Sequence, residues 1–340
     1  VDAGEAFATS LRLRYISGDE PGITRTRRGR GWSYHDPGGG LLQGPDRDRC
    51  EALVVPPAWQ DVWICETADG HLQARGSDEA GRLQYRYHDR WTEGRRLLNF
   101  DRLADIGSRL GAIRKRLDQM LADDRDPERR AVAAMVRLVD TGVARIGGRR
   151  SAREFGHFGV STLTADHVEV DGDTITLAYP GKSGVDREIV IEDQMLADVV
   201  ADLDAANEEI FVLRDLDGTR RLRASDANAL LDEMTRTPVT CKDFRTWGGS
   251  AIALEARVEG ASEIEAVDAA AEVLGNTRAV ARGSYVHPDV ITAPVEDLAA
   301  AWRASRTSSL YDRRERALLK LLQGTPPLLE RWVEKMMASR

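Results

Sequence analysis

The chain has 340 residues, 42% of them hydrophobic, enough for two cores, and its 56 acidic against 48 basic side chains leave a formal charge of -8. No long apolar run or signal-like start appears, which argues against a membrane-spanning chain and predicts a soluble, reducing, cytoplasmic setting. Cys50, Cys65 and Cys241 fit neither a metal pattern nor an even disulfide framework, and the six histidines are scattered without ligand spacing, so no metal centre is expected.

The chain starts at Val1, which suggests a processed or trimmed start. From Leu11 to about Trp91, short alternating stretches are divided by turn formers, as in YISGDEPG, VWICETADG and LQARGSDEAGRLQYRYH. That is the period of strands joined by glycine turns, and it predicts a mainly β domain over residues 1–93. Arg25, Arg27, Arg28 and Arg30 lie within it beside Gly29 and Gly31, and Arg82, Arg86, Arg90, Arg95 and Arg96 form a second run. Acidic residues gather later, at Glu263, Glu265, Asp268 and Glu272. Positive charge is therefore local, and the acidic total does not exclude a polyanionic partner.

Near Leu97 the period changes. Leu103, Ile106, Leu110, Ile113, Leu117 and Leu121 recur at three and four, one face of a helix, so a larger, mainly α domain is expected over 94–340. Pro127 opens a second helix to about Val143, and the glycines at 142, 147 and 148 end it. His167 to Val170, the Asp171-Gly172 turn and Thr174 to Tyr179 read as a hairpin, with REIVI as a third strand. Lys182 then sits in the loop between the second and third strands of a small sheet. After Ile191 the chain is largely helical, with helices expected near 193–207, 225–235, 240–256, 262–274, 291–303, 313–322 and 328–337. The fold class is α+β.

PVTCKDFRTWGG holds Lys242 and Arg245 three apart, on one face of a helix. Arg145, in ARIGG, and Arg245 offer two planar forks suited to the non-bridging oxygens of a phosphate, contacts that strengthen as a pentacoordinate phosphorus gains charge. Tyr285 lies in GNTRAVARGSYVHPDV, read as a glycine-rich turn region where a phenol is exposed. A phenol's ordinary pKa is about 10, so attack near neutral pH needs a positive surround. Asn276 supplies an amide donor, and Lys182 an ammonium able to protonate a departing ribose oxygen. Singly, each residue reads as structural; the conjunction carries the inference.

With PGITRTRRGRGWSY, GRLQYRYHDRW and FGHFGVSTLTADHV in the same order, the chain resembles type IB DNA topoisomerases of the compact poxvirus and bacterial kind over nearly its whole length. The resemblance implies a tyrosine recombinase/topoisomerase IB-like fold and an active site of Arg145, Lys182, Arg245, Asn276, where poxviral and eukaryotic members have His, and the nucleophile Tyr285. It implies a 3′-phosphotyrosyl intermediate in duplex DNA, strand rotation and religation, with no cofactor, ATP or required metal. It also implies a nucleoid-associated monomer that closes as a clamp around DNA, preferably supercoiled. Lys242 matches a lysine that touches the DNA backbone, and Gln84, Tyr85 and Tyr87 match a strand that meets the major groove. Strand alternation sets Gln84 opposite the two tyrosines, so Gln84 and Tyr85 are expected to contact DNA and Tyr87 to join the core. Arg27, Arg28 and Arg82 are expected as further contacts. Ser151 departs from the poxviral pattern, which has a phosphate-contacting tyrosine there, so a different cleavage preference is expected. The rivals are a tyrosine recombinase or integrase, with the helices after Ser308 as a candidate exchange element, and a non-catalytic DNA-binding protein. Recombinases generally carry His-x-x-Arg where this chain has Lys242-x-x-Arg245.

Overall fold

The computed structural model describes residues 2–206, 208–215, 218–235 and 237–338, so Val1 and the last position of the helix expected over 193–207 lie outside the described residues. The first elements are α1 (Ala3–Ser10), β1 (Ile23–Arg28), β2 (Gly31–His35), α2 (Gly44–Ala52), β3 (Gln60–Ile64), β4 (Leu72–Ser77), β5 (Leu83–Tyr87) and α3 (Asp89–Asp101). Then come α4 (Leu103–Leu121), α5 (Pro127–Gly142), α6 (Arg149–Phe155), β6 (Val168–Asp171), β7 (Thr174–Pro180), β8 (Asp186–Glu192), α7 (Gln194–Ala206), β9 (Val212–Asp215) and β10 (Gly218–Arg221). The chain closes with α8 (Ala224–Thr235), α9 (Cys241–Val258), α10 (Glu263–Leu274), α11 (Arg278–Ser284), α12 (Pro288–Thr292), α13 (Val295–Arg303), α14 (Arg313–Gln323) and α15 (Leu328–Ala338). This is an α+β architecture of two compact units, Val1–Asp101 with Pro327–Arg340, and Arg102–Pro326.

The first unit is built on an antiparallel sheet in the order β2-β1-β3-β4-β5. Alternate residues Ile23, Tyr34, Val62, Ile64 and Ala74 turn inward and bury a small core with Cys50 of α2. The arginine run divides. Arg25 lies over the Trp32 ring, 4.1 Å from its centroid, and donates to the carbonyls of Val55, Pro56 and Trp59, while Arg27 and Arg28 stay exposed at the β1–β2 turn. The second apolar cluster needs the far end of the sequence. Leu328, Leu329, Trp332 and Val333 of α15 cover Phe7, Leu11, Trp91, Leu97 and Phe100. The Asp101 carboxylate accepts the N–H groups of Leu328 at 2.6 Å and Leu329 at 3.0 Å, capping α15 at its start.

In the second unit, the six periodic apolar residues of α4 are all buried against α5, which opens on Pro127 with Asp126 accepting from the Arg129 N–H at 2.9 Å. The small sheet has the order β6-β7-β8, as the hairpin reading required. Three features differ from the sequence reading. The span expected as one helix over 291–303 breaks at Pro294, which has no N–H to donate, into α12 and α13. The segment before Tyr285, expected as a turn region, forms α11, capped by the Thr277 hydroxyl. β9 and β10 add a hairpin inside a stretch expected to be largely helical.

A buried ionic junction joins α4, α5, α9 and α14. Arg114 makes paired contacts to Asp140 (2.7 and 2.8 Å) and to Glu315 (2.7 and 2.9 Å), and Glu315 accepts from the Trp247 indole at 3.0 Å. Truncating Arg114 leaves two buried carboxylates facing each other. Arg114→Ala is expected to destabilise the protein by about 3–5 kcal/mol, read as a lower denaturant midpoint. A midpoint equal to the parent's would show that the junction contributes nothing net.

Candidate active site

The second unit contains a cleft of about 530 Å³ whose walls include Arg145, Ser151, Lys182, Lys242, Arg245 and Tyr285. Residues from four separate segments thus meet around one phenol. Lys242 Nζ lies 5.8 Å and Arg245 Cζ 5.2 Å from the centroid of the Tyr285 ring. Both cations come from one face of α9, as their spacing requires. Lys242 is exposed at the rim, whereas Arg245 is 4% exposed.

Local backbone geometry fixes each arginine. Val143, the residue after α5, adopts a left-handed conformation (φ 48°), which for a β-branched residue costs about 1–3 kcal/mol. Its carbonyl accepts from Arg245, and Arg145 follows two residues on. Past Arg145, Gly147 and Gly159 cross so closely that a Cβ on Gly147 would lie 2.8 Å from the Gly159 Cα. The crossing is held by Val160 N–H to Arg145 O (2.9 Å) and Ser161 N–H to Ile146 O (2.7 Å).

The C-terminal end of α10 is the common anchor. Arg245 donates to Leu274 O at 2.9 Å, Arg145 to Gly275 O at 3.0 Å, and Arg187 of β8 to Glu272 O at 3.0 Å and to Val273 O. Orphan carbonyls and the negative end of the helix dipole suit guanidinium groups. Carboxylates are missing: among the described residues, Arg145, Lys182, Arg187, Lys242 and Arg245 take part in no ion pair, whereas the exposed Arg82 is paired with Asp78 at 2.7 Å.

Clustered, buried cations are held in a disfavoured state. Burial, with Arg145 nearby, pushes the Arg245 guanidinium down to about 10, and burial also lowers Arg145. At about 10, Arg245 remains protonated at neutral pH. Since a depressed cation is one whose charged form folding disfavours, an incoming anion relieves that cost. Arg245 Nε and Asn276 Nδ2 are buried without a hydrogen-bond partner among the described residues, two donors with no acceptor.

Asn276 follows Gly275, whose φ of 58° closes α10, and its Oδ1 accepts from Arg145. It is not among the side chains lining the cleft. Asn276→Ala is expected to slow the reaction about tenfold by loosening Arg145, the value of one hydrogen bond, with Asn276→His nearer the parent. Single-turnover rates test this; an inactive Asn276→His would assign the position to packing alone.

Other side chains went unanticipated. Phe155, His157 and Phe158 line the cleft, and α6 beside them carries Arg149, Arg150 and Arg153 with no buried residue. Tyr179 places a second phenol near Arg145, Arg187 and Arg245, but burial raises its pKa and it is 5% exposed. Cys241 also lines the cleft, and burial pushes its thiol up to about 12, which leaves it protonated and a poor rival nucleophile. The remaining sequence-predicted residues are in the first unit. Gln84 and Arg82 both bond to Asp78, and Tyr85 is 48% exposed. Tyr87 is not in the core: it is 39% exposed and stacks between Tyr85 and Trp91, because the face it shares with the exposed Tyr85 is open to solvent.

Among the described residues, no group of three His, Cys, Asp or Glu side chains gathers as a metal site, and no helix is long and apolar enough to cross a membrane. A sequence profile of the catalytic core of eukaryotic DNA topoisomerase I matches residues 92–296, and one of the N-terminal domain of bacterial DNA topoisomerase IB matches residues 31–78. The chain is 28% identical over 263 residues to DNA topoisomerase 1B of Acanthamoeba polyphaga mimivirus, covering 71% of this chain and 77% of the relative. With the profile of the catalytic core spanning the whole segment that builds the cleft, the chain belongs to the type IB DNA topoisomerase family.

Proposed function

We propose that this protein relaxes supercoiled duplex DNA through transient cleavage of one strand by Tyr285, without ATP or a required metal. The observation that carries the reading is a half-buried phenol beside cations that make no ion pair among the described residues. Tyr285 releases its phenolic proton to solvent water, its oxygen attacks the phosphorus, and the bond to the 5′ oxygen breaks. Arg145 and Arg245 hold the non-bridging oxygens, Lys242 meets the adjacent backbone, and Lys182 gives the leaving oxygen its proton. The phosphotyrosyl link conserves the bond energy, so the 5′-hydroxyl reverses the attack after strand rotation, with Lys182 taking the proton back.

In this reading residues 94–340 carry the chemistry and residues 1–93 close on the duplex as part of a monomeric clamp. Arg27, Arg28, Gln84 and Tyr85 contact the DNA, and the exposure of Tyr87 adds it to that surface; Arg82 is a weaker candidate because Asp78 already neutralises it. A recombinase needs an element that reaches a second protomer, but α15 buries its apolar face on its own chain.

The test is relaxation of a supercoiled plasmid by dilute protein in EDTA, without nucleotide or paired target sites, followed by mapping of the DNA-linked residue. Relaxation with the link at Tyr285 is expected. A requirement for two recombination sites, or a link elsewhere, would overturn the reading.

A further inference from the structure

Arg187 has no part in the chemistry above, yet its side chain joins two pieces of the site. It lies in β8 opposite Tyr179 in the sheet register, at the base of the loop whose tip carries Lys182. That loop is exposed and short, closed by Gly181 N–H to Val185 O at 2.8 Å, with Ser183 at φ 67°. The stem of Arg187 runs beneath it: a Cβ on Gly181 would fall 2.8 Å from Arg187 Cγ. The guanidinium then leaves the sheet and donates to Glu272 O and Val273 O, and a Cβ on Gly275 would fall 2.8 Å from its Nη1.

The same turn of α10 receives Arg245 and Arg145 through the next two carbonyls. We propose that Arg187 is a positioning residue for Lys182: it fixes the Lys182 loop to the helix end that also holds the two phosphate-binding arginines. Acid and forks then share one rigid reference, and the ammonium stays over the departing oxygen. Arg187 does not line the cleft, so it acts through the loop and not on the phosphate.

A purely structural tie would not need a charge here. Arg187 disfavours the protonated forms of both Arg145 and Arg245, so a neutral side chain would serve the resting fold at less cost. The planar fork is what reaches two successive carbonyls, and a lysine ammonium cannot reproduce that geometry.

The proposal rests on the reading of Lys182 as the proton donor, and the experiment separates the two. Single-turnover cleavage is measured on a suicide duplex with an ordinary 5′ oxygen and on one with sulfur at the 5′-bridging position, which leaves without a proton. Arg187→Ala is expected to lose about 10²-fold on the oxygen substrate, as for a misplaced catalytic group, and to regain nearly the parent rate on sulfur. Arg187→Lys, which keeps stem and charge, should show the same preference in milder form with an unchanged melting temperature. Equal losses on both substrates, or a loss in both variants that tracks melting temperature, would overturn the proposal. Lys182→Ala run in parallel supplies the distinction: if it is rescued by sulfur and Arg187→Ala is not, only the positioning role falls; if neither is rescued, the proton-donor reading falls first.

Discussion

Tyr285→Phe is expected to abolish covalent capture of DNA while duplex binding persists. The substitution removes one oxygen from a ring that keeps its place between Lys242 and Arg245. The cations that bind phosphate are anchored to the backbone of α10 and Val143, so the anion site survives the loss of the hydroxyl. Neither Tyr179 nor Cys241 can substitute, since burial raises the pKa of each and disfavours the anion required for attack. The measurement pairs a suicide-duplex trapping assay with an equilibrium binding titration. Binding lost together with capture would make Tyr285 a packing residue and remove the nucleophile from the mechanism.

Lys182→Ala should give the second large effect, a slowing of cleavage of about 10²- to 10⁴-fold, the usual contribution of a positioned general acid. Lys182 extends from an exposed loop into the cleft and is engaged in no ion pair among the described residues, so its ammonium is available to a leaving oxygen. A 5′-bridging sulfur departs as a stable thiolate and should restore most of the loss. Failure of that rescue, with binding intact, would assign Lys182 to phosphate binding.

The α4 period, the Asp126-Pro127 start of α5 and the three-stranded sheet were legible because each follows from local rules: an apolar repeat, a capped first turn, an Asp-Gly hairpin. The cleft residues were legible one by one as phosphate chemistry, and their order supplied the resemblance. What holds them together was not. Arg145, Arg187 and Arg245 are organised by carbonyls at the end of α10, and backbone acceptors leave no mark in a side-chain pattern. Tyr87 was assigned to a core because alternation states which residues share a face but not whether that face is covered. Asn276 read as a donor to phosphate and its Nδ2 has no acceptor among the described residues, but the contact of its Oδ1 with Arg145, 131 positions away, left no local sign.

The capping of α15 by Asp101 bears on how the protein is made. Proteins emerge from the ribosome beginning at the amino terminus, and early domains ordinarily finish folding while later ones are still being synthesised. Here Phe7, Leu11, Trp91 and Phe100 lack part of their cover until the segment after residue 326 has emerged, so the first unit must wait for α15. A premature stop before Pro327 would therefore injure the first unit, whose greasy face stays partly open while residues 102–326 are being made.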